Sequence, residues 1–329
     1  MKKPDWKKTA SLALLLVMLG LLAAYVYNNR ADMERLLRLD AATVALLVAL
    51  AVGSALVNCV YHLVILRTYG LPLDLTDWMG VVSVSNVIAY VLPLRADLVF
   101  SAAYYKRVKG LAYTKSVSMA AGNVVFGVAF SLLQILVALL FLGFLKGQWP
   151  PVLWALWGLG TAALAAFTAL ALWAPGKNPK ILQKYRLLGE VAQGFTALLR
   201  NRAMLWRLLG CLVANNIFQL LLYQLCFASI GHPVTLYEAL FYNSVSWLSS
   251  IVAIVPGNIG IKEGVMGLST LLMGISVPTG VAASLLQRVA LMAAHLLLGA
   301  AFAWPVYRRF RRGTEPRQGP SGSPAAPAP

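Results

Sequence analysis

Long apolar runs alternate with short polar segments along most of this sequence of 329 residues. The long runs hold roughly 19 residues or more, enough for a helix to cross a hydrocarbon layer about 30 Å thick at about 1.5 Å per residue. These runs are Thr9 to Tyr27, Ala41 to Leu66, Ser116 to Leu145, Val152 to Ala174, Leu208 to Ile230 and Gly280 to Tyr307. The first has a basic start like a signal peptide, but it is long and lacks a small-x-small cleavage site, so we expect it to remain as an anchor. The pattern predicts an all-α polytopic membrane protein with six spans.

The region between Trp78 and Ala103 does not fit a simple span. Its apolar part is short and stops at Pro93, and Arg95 and Asp97 follow closely. Short apolar stretches of this kind are more often re-entrant or interrupted than spanning. We therefore predict a re-entrant hairpin here, with a helix broken at the proline.

A second interrupted region lies between Leu240 and Ser276 and contains the sequence IVAIVPGNIGIKEG. The apolar run stops at Pro256, glycines follow, and Lys262 and Glu263 then stand side by side where a membrane helix would continue. Because backbone amides without partners are not tolerated against lipid, broken backbone with charges is expected to line a polar cavity. The pattern predicts a second re-entrant hairpin.

The distribution of basic residues orients the predicted bundle. The chain is 60% hydrophobic and 12% charged, and its net charge is +17. If the N-terminus is cytoplasmic and both interrupted regions are hairpins, most of the 28 Lys and Arg residues fall on the cytoplasmic side, as the positive-inside rule requires. A full span at Trp78 would place the basic segment YYKRVKGLAYTK outside and remove this asymmetry. We therefore expect a multi-pass protein of the cell membrane with both termini in the cytoplasm.

The positive-inside rule and the attraction of basic residues to anionic headgroups account for the charge, so we expect no nucleic-acid partner. The segment from Asn178 to Arg202 has apolar residues at mixed helical spacing, which predicts an amphipathic helix on the cytoplasmic surface. Residues 313–329, rich in Pro, Gly, Ser and Ala, are predicted to form a disordered cytoplasmic tail.

The predicted elements divide the helical bundle, residues 1–312, into two units with the same parts in the same order. Each unit contains a span, a second span, a hairpin and a third span, first over residues 9–145 and then over residues 152–307. The two hairpins enter from opposite faces, so the units would form an inverted repeat. Inverted repeats with broken helices near the middle of the bilayer are typical of transporters.

Three basic residues fall inside the predicted membrane region, namely Arg95, Lys262 and Arg288. A charge there is costly unless it is paired or faces water, so each is a candidate for function. We predict that the three form an anion site for a lipid phosphate. Asp97 is the predicted charge partner of Arg95, and Glu263 is predicted to pair with Arg95 or Arg288, leaving Lys262 for the phosphate. Structural roles remain open, with Glu263 as a helix cap and Arg95 reaching the membrane surface.

The other polar residues of the apolar runs have simpler interpretations. Five carboxamides are predicted to form hydrogen bonds between helices: Asn86, Asn123, Asn215, Asn216 and Gln219. The three histidines and three cysteines are scattered singly, which is not the spacing of a metal site or a disulfide framework. We expect no metal, no cofactor and no catalytic residue, because no Ser-His-Asp, metal or nucleotide motif is present.

The sequence VPGNIGIKEG, followed by LLMGISVPTGVAASLLQRVALMAAHLLLG, resembles the C-terminal signature of the lysylphosphatidylglycerol synthase transmembrane-region family of flippase-like proteins. NVIAYVLPLRAD with YYKRVKG resembles that family's earlier motif, and the resemblance covers roughly Ala41 to Tyr307. The positions that match the family pattern are Pro93, Arg95, Pro256, Gly257, Gly260, Glu263 and Arg288. The broken-helix motif consists of Asn86, Pro93, Pro256, Gly257, Asn258 and Gly260. This chain departs from the pattern after each proline, with Ala96-Asp97-Leu98 in place of Gly-Glu and Gly257-Asn258 in place of Gly-Gly.

The resemblance implies a role in the handling of membrane phospholipids. Long members of the family resemble the multiple peptide resistance factor and add a synthase domain that transfers lysine from lysyl-tRNA to phosphatidylglycerol; the residues after Tyr307 offer no apolar core for one. We expect translocation or binding of an anionic or aminoacylated phospholipid, or a lipid-linked intermediate, rather than enzymatic activity. The alternative is a phosphatidylglycerol lysyltransferase-related protein or a membrane subunit in aminoacyl-phospholipid synthesis, with a link to cationic peptide resistance. The expected partners are membrane phospholipids, and a homo-oligomer or a synthase partner is left open.

Overall fold

The computed structural model describes residues 39–92, 95–177, 202–251 and 256–313, except for the side chains of residues 170–177 and 256. Outside these ranges lie the predicted span from Thr9 to Tyr27, Pro93, nearly all of the predicted surface helix and the tail after Gly313. All regular secondary structure in the described ranges is helical, which confirms the prediction of an all-α fold.

The helices of the described ranges, in chain order, are α1 (Ala41–Arg67), α2 (Val81–Val91), α3 (Ala96–Lys109), α4 (Tyr113–Lys146), α5 (Pro151–Lys177), α6 (Arg202–Ser229), α7 (Leu236–Ser249), α8 (Ile261–Leu272) and α9 (Val277–Arg312). By length and composition, α1, α4, α5, α6 and α9 are long and apolar enough to cross a membrane. Each of the five lies on a predicted span. Several of them extend beyond the apolar run. At the start of α1, Asp40 caps the helix by accepting a hydrogen bond of 3.1 Å from the backbone N–H of Thr43.

Hairpin 1, residues 76–109, is interrupted where the sequence predicts a break. A π-helical turn, Thr76–Gly80, leads into α2, and the chain is extended at Leu92 before α3 returns along α2. Helix α3 has 14 residues, about 21 Å at about 1.5 Å per residue, which is shorter than a hydrocarbon layer of about 30 Å. These dimensions agree with two half-helices that meet at a broken tip.

Hairpin 2, residues 236–272, repeats this design with α7 and α8 packed against each other. Thr235 and Glu238 form a reciprocal capping box at the start of α7. After α7 the chain passes through a short 3₁₀ turn, Pro256–Asn258, and α8 begins at Ile261. The two half-helices hold 14 and 12 residues, so each is too short to cross a bilayer alone.

Helix α9 packs against both hairpins, with contacts to α2 and to α8. Glycine permits both close approaches. A Cβ at Gly280 would lie 2.2 Å from Thr270 Oγ1 and 2.8 Å from the carbonyl oxygen of Met266, and a Cβ at Gly299 would lie 2.6 Å from Val87 Cγ2. Small residues let membrane helices approach closely enough to gain packing energy, so these glycines hold the hairpins against α9.

Hairpin 1 lies between α1 and α4 in the sequence, and hairpin 2 lies between α6 and α9. This is the order of elements that the predicted inverted repeat requires. The two-fold relation between the units, and the opposite entry of the two hairpins, stay predictions.

A buried carboxylate, Asp77, fastens the base of hairpin 1 to the end of α9. Its Oδ1 accepts hydrogen bonds from the hydroxyl of Tyr104 at 2.9 Å and from Arg309 at 3.2 Å, and the Nζ of Lys109 lies 2.6 Å from Oδ2. Burial raises the pKa of Asp77, but hydrogen bonds from Lys109, the backbone of Asp74 and Tyr104 lower it by more, so it lies below the ordinary value of 3.8. The carboxylate is therefore charged at neutral pH and ties these elements together.

Candidate functional site

The broken tips of the two hairpins contact each other. The guanidinium of Arg95, at the tip of hairpin 1, donates a hydrogen bond of 2.9 Å to the carbonyl oxygen of Ser250 at the tip of hairpin 2. Gly257 of the 3₁₀ turn lies against Tyr90 of α2. Residues about 160 positions apart in the sequence therefore form one structural unit, as broken helices of transporters do.

A cavity of about 200 Å³ lies at this junction, and we call it the tip cavity. Its polar lining residues come from both tips and from α9: Asn86, Tyr90, Arg95, Asp97, Ser250, Asn258, Lys262, Arg288 and His295. The three basic residues predicted to act together thus line one cavity. The prediction that they bind a phosphate stays a prediction.

Two half-helices begin at the tip cavity, which adds to its positive character. Helix α3 starts after Arg95, and α8 starts after Gly260. The first N–H groups of a helix have no partner within it and carry partial positive charge, so helix N-termini attract anions. No side chain caps the start of α3 in the described residues. The cavity therefore combines basic side chains with the N-terminal ends of two helices.

Arg288 is held by hairpin 2 from several directions. Its Nε donates a hydrogen bond of 2.7 Å to Glu263 Oε1, and its terminal nitrogens donate to the carbonyl oxygens of Gly257 and Asn258, the latter at 3.2 Å. Both side chains of the pair are nearly buried, with 11% exposed for Arg288 and 2% for Glu263. Arg288 therefore fixes the shape of the tip, and these bonds occupy three of its five N–H donors.

Glu263 fulfils both roles that the sequence left open. Its Oε1 pairs with Arg288, and its Oε2 accepts a hydrogen bond of 2.7 Å from the backbone N–H of Gly260 at the start of α8. One carboxylate has two oxygens, so a helix cap and an ion pair across the bundle do not exclude each other. Of the two partners predicted for Glu263, the structure brings it to Arg288 and not to Arg95.

Lys262 belongs to a chain of neutral hydrogen-bonding groups. Its Nζ donates to Gln287 Oε1, Gln287 Nε2 donates to Gln219 Oε1 at 3.0 Å, and Gln219 Nε2 donates to Ser54 Oγ at 2.7 Å. The Ser54 hydroxyl then donates to Asn215 Oδ1 at 2.8 Å. The described bond uses one of the three N–H groups of the ammonium, so Lys262 retains donors for a ligand.

Arg95 adopts a left-handed backbone conformation with φ 57°, which is unusual for a residue other than glycine. Asn258, at the other tip, has φ 54°. This conformation is strained for arginine, at a cost of about 1–3 kcal/mol, and such strain is typical of functional sites. Asparagine adopts it more readily. The ion pair predicted between Arg95 and Asp97 does not form among the described contacts, although both residues line the tip cavity and interact electrostatically.

A larger cavity of about 420 Å³ adjoins the tip cavity, and we call it the side cavity. Asn86, Arg95 and Asp97 line both, and most of the remaining lining of the side cavity is apolar. Asn86 and Asn123, which the sequence predicted to bond between helices, line this cavity without a described hydrogen bond. Asn86 was predicted as part of the broken-helix motif, but it lies within α2, several residues before the helix ends at Val91.

A third cavity, of about 200 Å³, shares Lys262 and Ser250 with the tip cavity, and we call it the carboxamide cavity. Its polar lining residues are Ser131, Gln134, Asn215, Asn216, Gln219, Asn243, Ser246, Ser250, Lys262 and Gln287. The predicted hydrogen bonds between helices are confirmed for three carboxamides. Asn215 accepts from Ser54, Gln219 donates to Ser54, and Asn216 accepts a hydrogen bond of 2.6 Å from Asn243. Sequence reasoning missed Gln134 and Asn243, and the only available signal was a carboxamide within an apolar stretch.

Comparison with known proteins gives one result. Residues 9–299 match the family described as the lysylphosphatidylglycerol synthase TM region. Comparisons with curated proteins and with solved structures give no match. The match covers most of the sequence and includes both hairpins and the tip cavity. The chain therefore belongs to the lysylphosphatidylglycerol synthase TM-region family.

Proposed function

We propose that this protein binds an anionic phospholipid and moves it between the leaflets of the cell membrane, with the lipid phosphate in the tip cavity. The observation that carries the proposal is the convergence of Arg95, Lys262 and Arg288 on one cavity between two broken helices. Within this proposal Arg95 and Lys262 donate to the phosphate and Arg288 shapes the tip; the bonds that Arg288 makes within hairpin 2 support this division.

The charge balance of the tip cavity favours an anionic ligand. Three basic side chains lie near two carboxylates, Asp97 and Glu263, so basic groups outnumber acidic groups. Uncompensated charge within a membrane protein is costly, and a bound phosphate would offset it. The N-terminus of α3, which no described side chain caps, adds to this attraction.

The side cavity favours a lipid over a free anion. It adjoins the tip cavity at Arg95 and Asp97, and its largely apolar lining suits an acyl chain or the glycerol ester region. Ligand pockets are usually apolar with a few placed polar groups, which is the arrangement here. An inorganic phosphate would use the tip cavity alone.

The family description favours a second candidate, a membrane component of lysylphosphatidylglycerol synthesis. The two candidates differ in what purified protein does. Lipid movement in liposomes without other components supports the first, whereas transfer of lysine from lysyl-tRNA to phosphatidylglycerol supports the second.

The test uses full-length protein in liposomes that contain phosphatidylglycerol with a fluorescent acyl chain, bleached from outside by an impermeant reductant. Wild type should expose inner-leaflet lipid faster than empty liposomes. Arg95→Gln and Lys262→Gln should each slow this by roughly ten- to a hundredfold, because a hydrogen bond to a charged group contributes about 1.5–3 kcal/mol. Lys115→Gln, an exposed change away from the tip cavity, is the control. A wild type no faster than empty liposomes would contradict the proposal.

A further inference from the structure

The carboxamide cavity has a lining chemistry different from that of the tip cavity. Apart from Lys262, its polar lining residues are amides and hydroxyls, and no carboxylate of the described residues lines it. Asp97 lines the tip and side cavities instead, and Glu263 is bonded to Arg288. A ligand group in the carboxamide cavity would therefore meet neutral donors and acceptors and one ammonium.

The described hydrogen bonds leave part of this capacity unused. Asn243 Nδ2 donates a hydrogen bond of 2.6 Å to Asn216 Oδ1. This leaves the NH₂ group of Asn216 and the side-chain oxygen of Asn243 without a described partner at the cavity. A carboxamide offers two donors and two acceptors. A hydroxyl group both donates and accepts, so neighbouring ligand hydroxyls match this mixed lining.

A cationic group matches the cavity poorly. An ammonium would lose hydration without gaining a carboxylate partner, and the ammonium of Lys262 would repel it. An uncharged polyhydroxyl group meets neither cost. The volume of about 200 Å³ has room for about six or seven water molecules at about 30 Å³ each, enough for a glycerol or a single sugar ring.

Lys262 connects this cavity to the proposed phosphate position. Lys262 and Ser250 line both the tip cavity and the carboxamide cavity. A phosphate ester bound by Lys262 in the tip cavity would thus direct its headgroup toward the amides. Gln287, which accepts from Lys262, lies at the same boundary.

We infer that the carboxamide cavity binds the uncharged polyhydroxyl headgroup, of the glycerol or sugar class, of a phospholipid whose phosphate lies in the tip cavity. This inference rests on the proposed function and adds the class of headgroup. It assigns headgroup recognition to Asn216 and Asn243, and phosphate binding to Arg95 and Lys262.

The test compares three fluorescent lipids with identical acyl chains in liposomes that hold the full-length protein. Phosphatidylglycerol carries the polyol, phosphatidylethanolamine carries an ammonium, and phosphatidic acid carries the phosphate alone. Wild type should move phosphatidylglycerol at least about tenfold faster than the other two, since two or three hydrogen bonds of about 0.5–1.5 kcal/mol each are at stake. Equal rates for phosphatidylglycerol and phosphatidic acid would overturn the inference.

Two variants make the test specific. The double variant Asn216→Leu/Asn243→Leu removes both partners of one hydrogen bond, which is nearly neutral for folding when volumes are similar. It should bring the phosphatidylglycerol to phosphatidic acid ratio close to one. Asn216→Asp retains the acceptor for Asn243 and adds a carboxylate, so the preference should shift toward phosphatidylethanolamine. Wild-type selectivity in both variants would overturn the inference.

The remaining outcomes separate this inference from its premise. A wild type that moves all three lipids equally would contradict the headgroup site alone, and one that moves none would contradict the proposed function as well. Glycerol 1-phosphate in solution tests the other source of this chemistry. If it raises the melting temperature of the purified protein as much as phosphatidylglycerol does, the ligand is a soluble phosphate ester and the lipid part of the inference is wrong.

Discussion

The ion pair between Glu263 and Arg288 allows a quantitative test, because replacing one partner leaves the other buried without its counter-charge. In Glu263→Gln, the guanidinium keeps the carbonyl oxygens of Gly257 and Asn258 but loses the carboxylate at 2.7 Å. Removing one partner of a buried pair costs about 3–5 kcal/mol. Because the bonds to the carbonyl oxygens survive, we expect Glu263→Gln to lower the free energy of unfolding by about 3 kcal/mol. This is more than a hundredfold in the unfolding equilibrium.

A second ion pair in the same protein provides the control. Lys146 and Glu238 are joined at 2.8 Å, and the lysine side chain is 43% exposed. The Glu238 side chain is 9% exposed, but it keeps hydrogen bonds from the backbone N–H and the hydroxyl of Thr235 when the lysine is replaced. Exposed pairs contribute about 1 kcal/mol or less, so Lys146→Gln should change stability little. The double variant Glu263→Gln/Arg288→Met should cost less than the sum of its single changes, by about 1 kcal/mol or more, because both remove the same contact.

The assay is reversible unfolding in mixed micelles, followed by far-UV circular dichroism while the fraction of denaturing detergent rises. Wild type, Glu263→Gln, Arg288→Met, the double variant and Lys146→Gln are compared under identical conditions. If Glu263→Gln costs no more than Lys146→Gln, the buried pair does not stabilise the tip of hairpin 2 and this reasoning is refuted.

Three further predictions concern other parts of the fold. The folded pKa of Asp77 is depressed, so the contribution of its carboxylate to stability is full at neutral pH and is lost as the pH falls below about 4. Asp77→Asn should therefore flatten the acid side of the plot of stability against pH, measured by the mixed-micelle unfolding titration. Gly280→Ala should destabilise the protein by about 1–3 kcal/mol through overpacking against α8. A Cβ at Gly210 meets open space, so Gly210→Ala should be neutral or stabilising in the same unfolding titration. Equal effects of the two changes would contradict the packing argument. Single cysteines at Lys106 and Lys146, both exposed, should react with impermeant thiol reagents from opposite sides of the membrane in a variant without native cysteines. Labelling of both from one side would contradict the predicted hairpin topology.

The long helices were predictable because an apolar run of about 20 residues has few alternatives in a membrane. Helix α1 begins at Ala41 as predicted and ends at Arg67, one residue later than predicted. The breaks in both hairpins were also predictable, since proline removes a backbone donor and glycine permits left-handed conformations. Gly257 and Gly260 indeed have φ of 58° and 83°.

The pairing of charges was only partly predictable. Neighbours in sequence are poor guides, because residues two apart at the start of a helix do not face each other, and Arg95 forms no described ion pair with Asp97. The sequence limited the partner of Glu263 to two arginines, and packing of α8 against α9 decided for Arg288.

The carboxamide cavity could not be predicted from the sequence. Gln134, Asn216 and Asn243 lie on three different helices. Gln134 and Asn243 are each a single amide in an apolar stretch, and Asn216 stands beside Asn215. Their convergence depends on how α4, α6 and α7 pack, which local patterns do not specify. A polar residue in an apolar run predicts a hydrogen bond between helices, but it does not predict a shared cavity.

The most direct test of the account is an experimental structure of the protein with phosphatidylglycerol. We expect the lipid phosphorus in the tip cavity, with phosphate oxygens about 3 Å from the side-chain nitrogens of Arg95 and Lys262. Arg288 should keep its bonds to Glu263 and to the tip of hairpin 2. A phosphate bound elsewhere, with Arg95 still donating to Ser250 beside an empty tip cavity, would contradict the central claim.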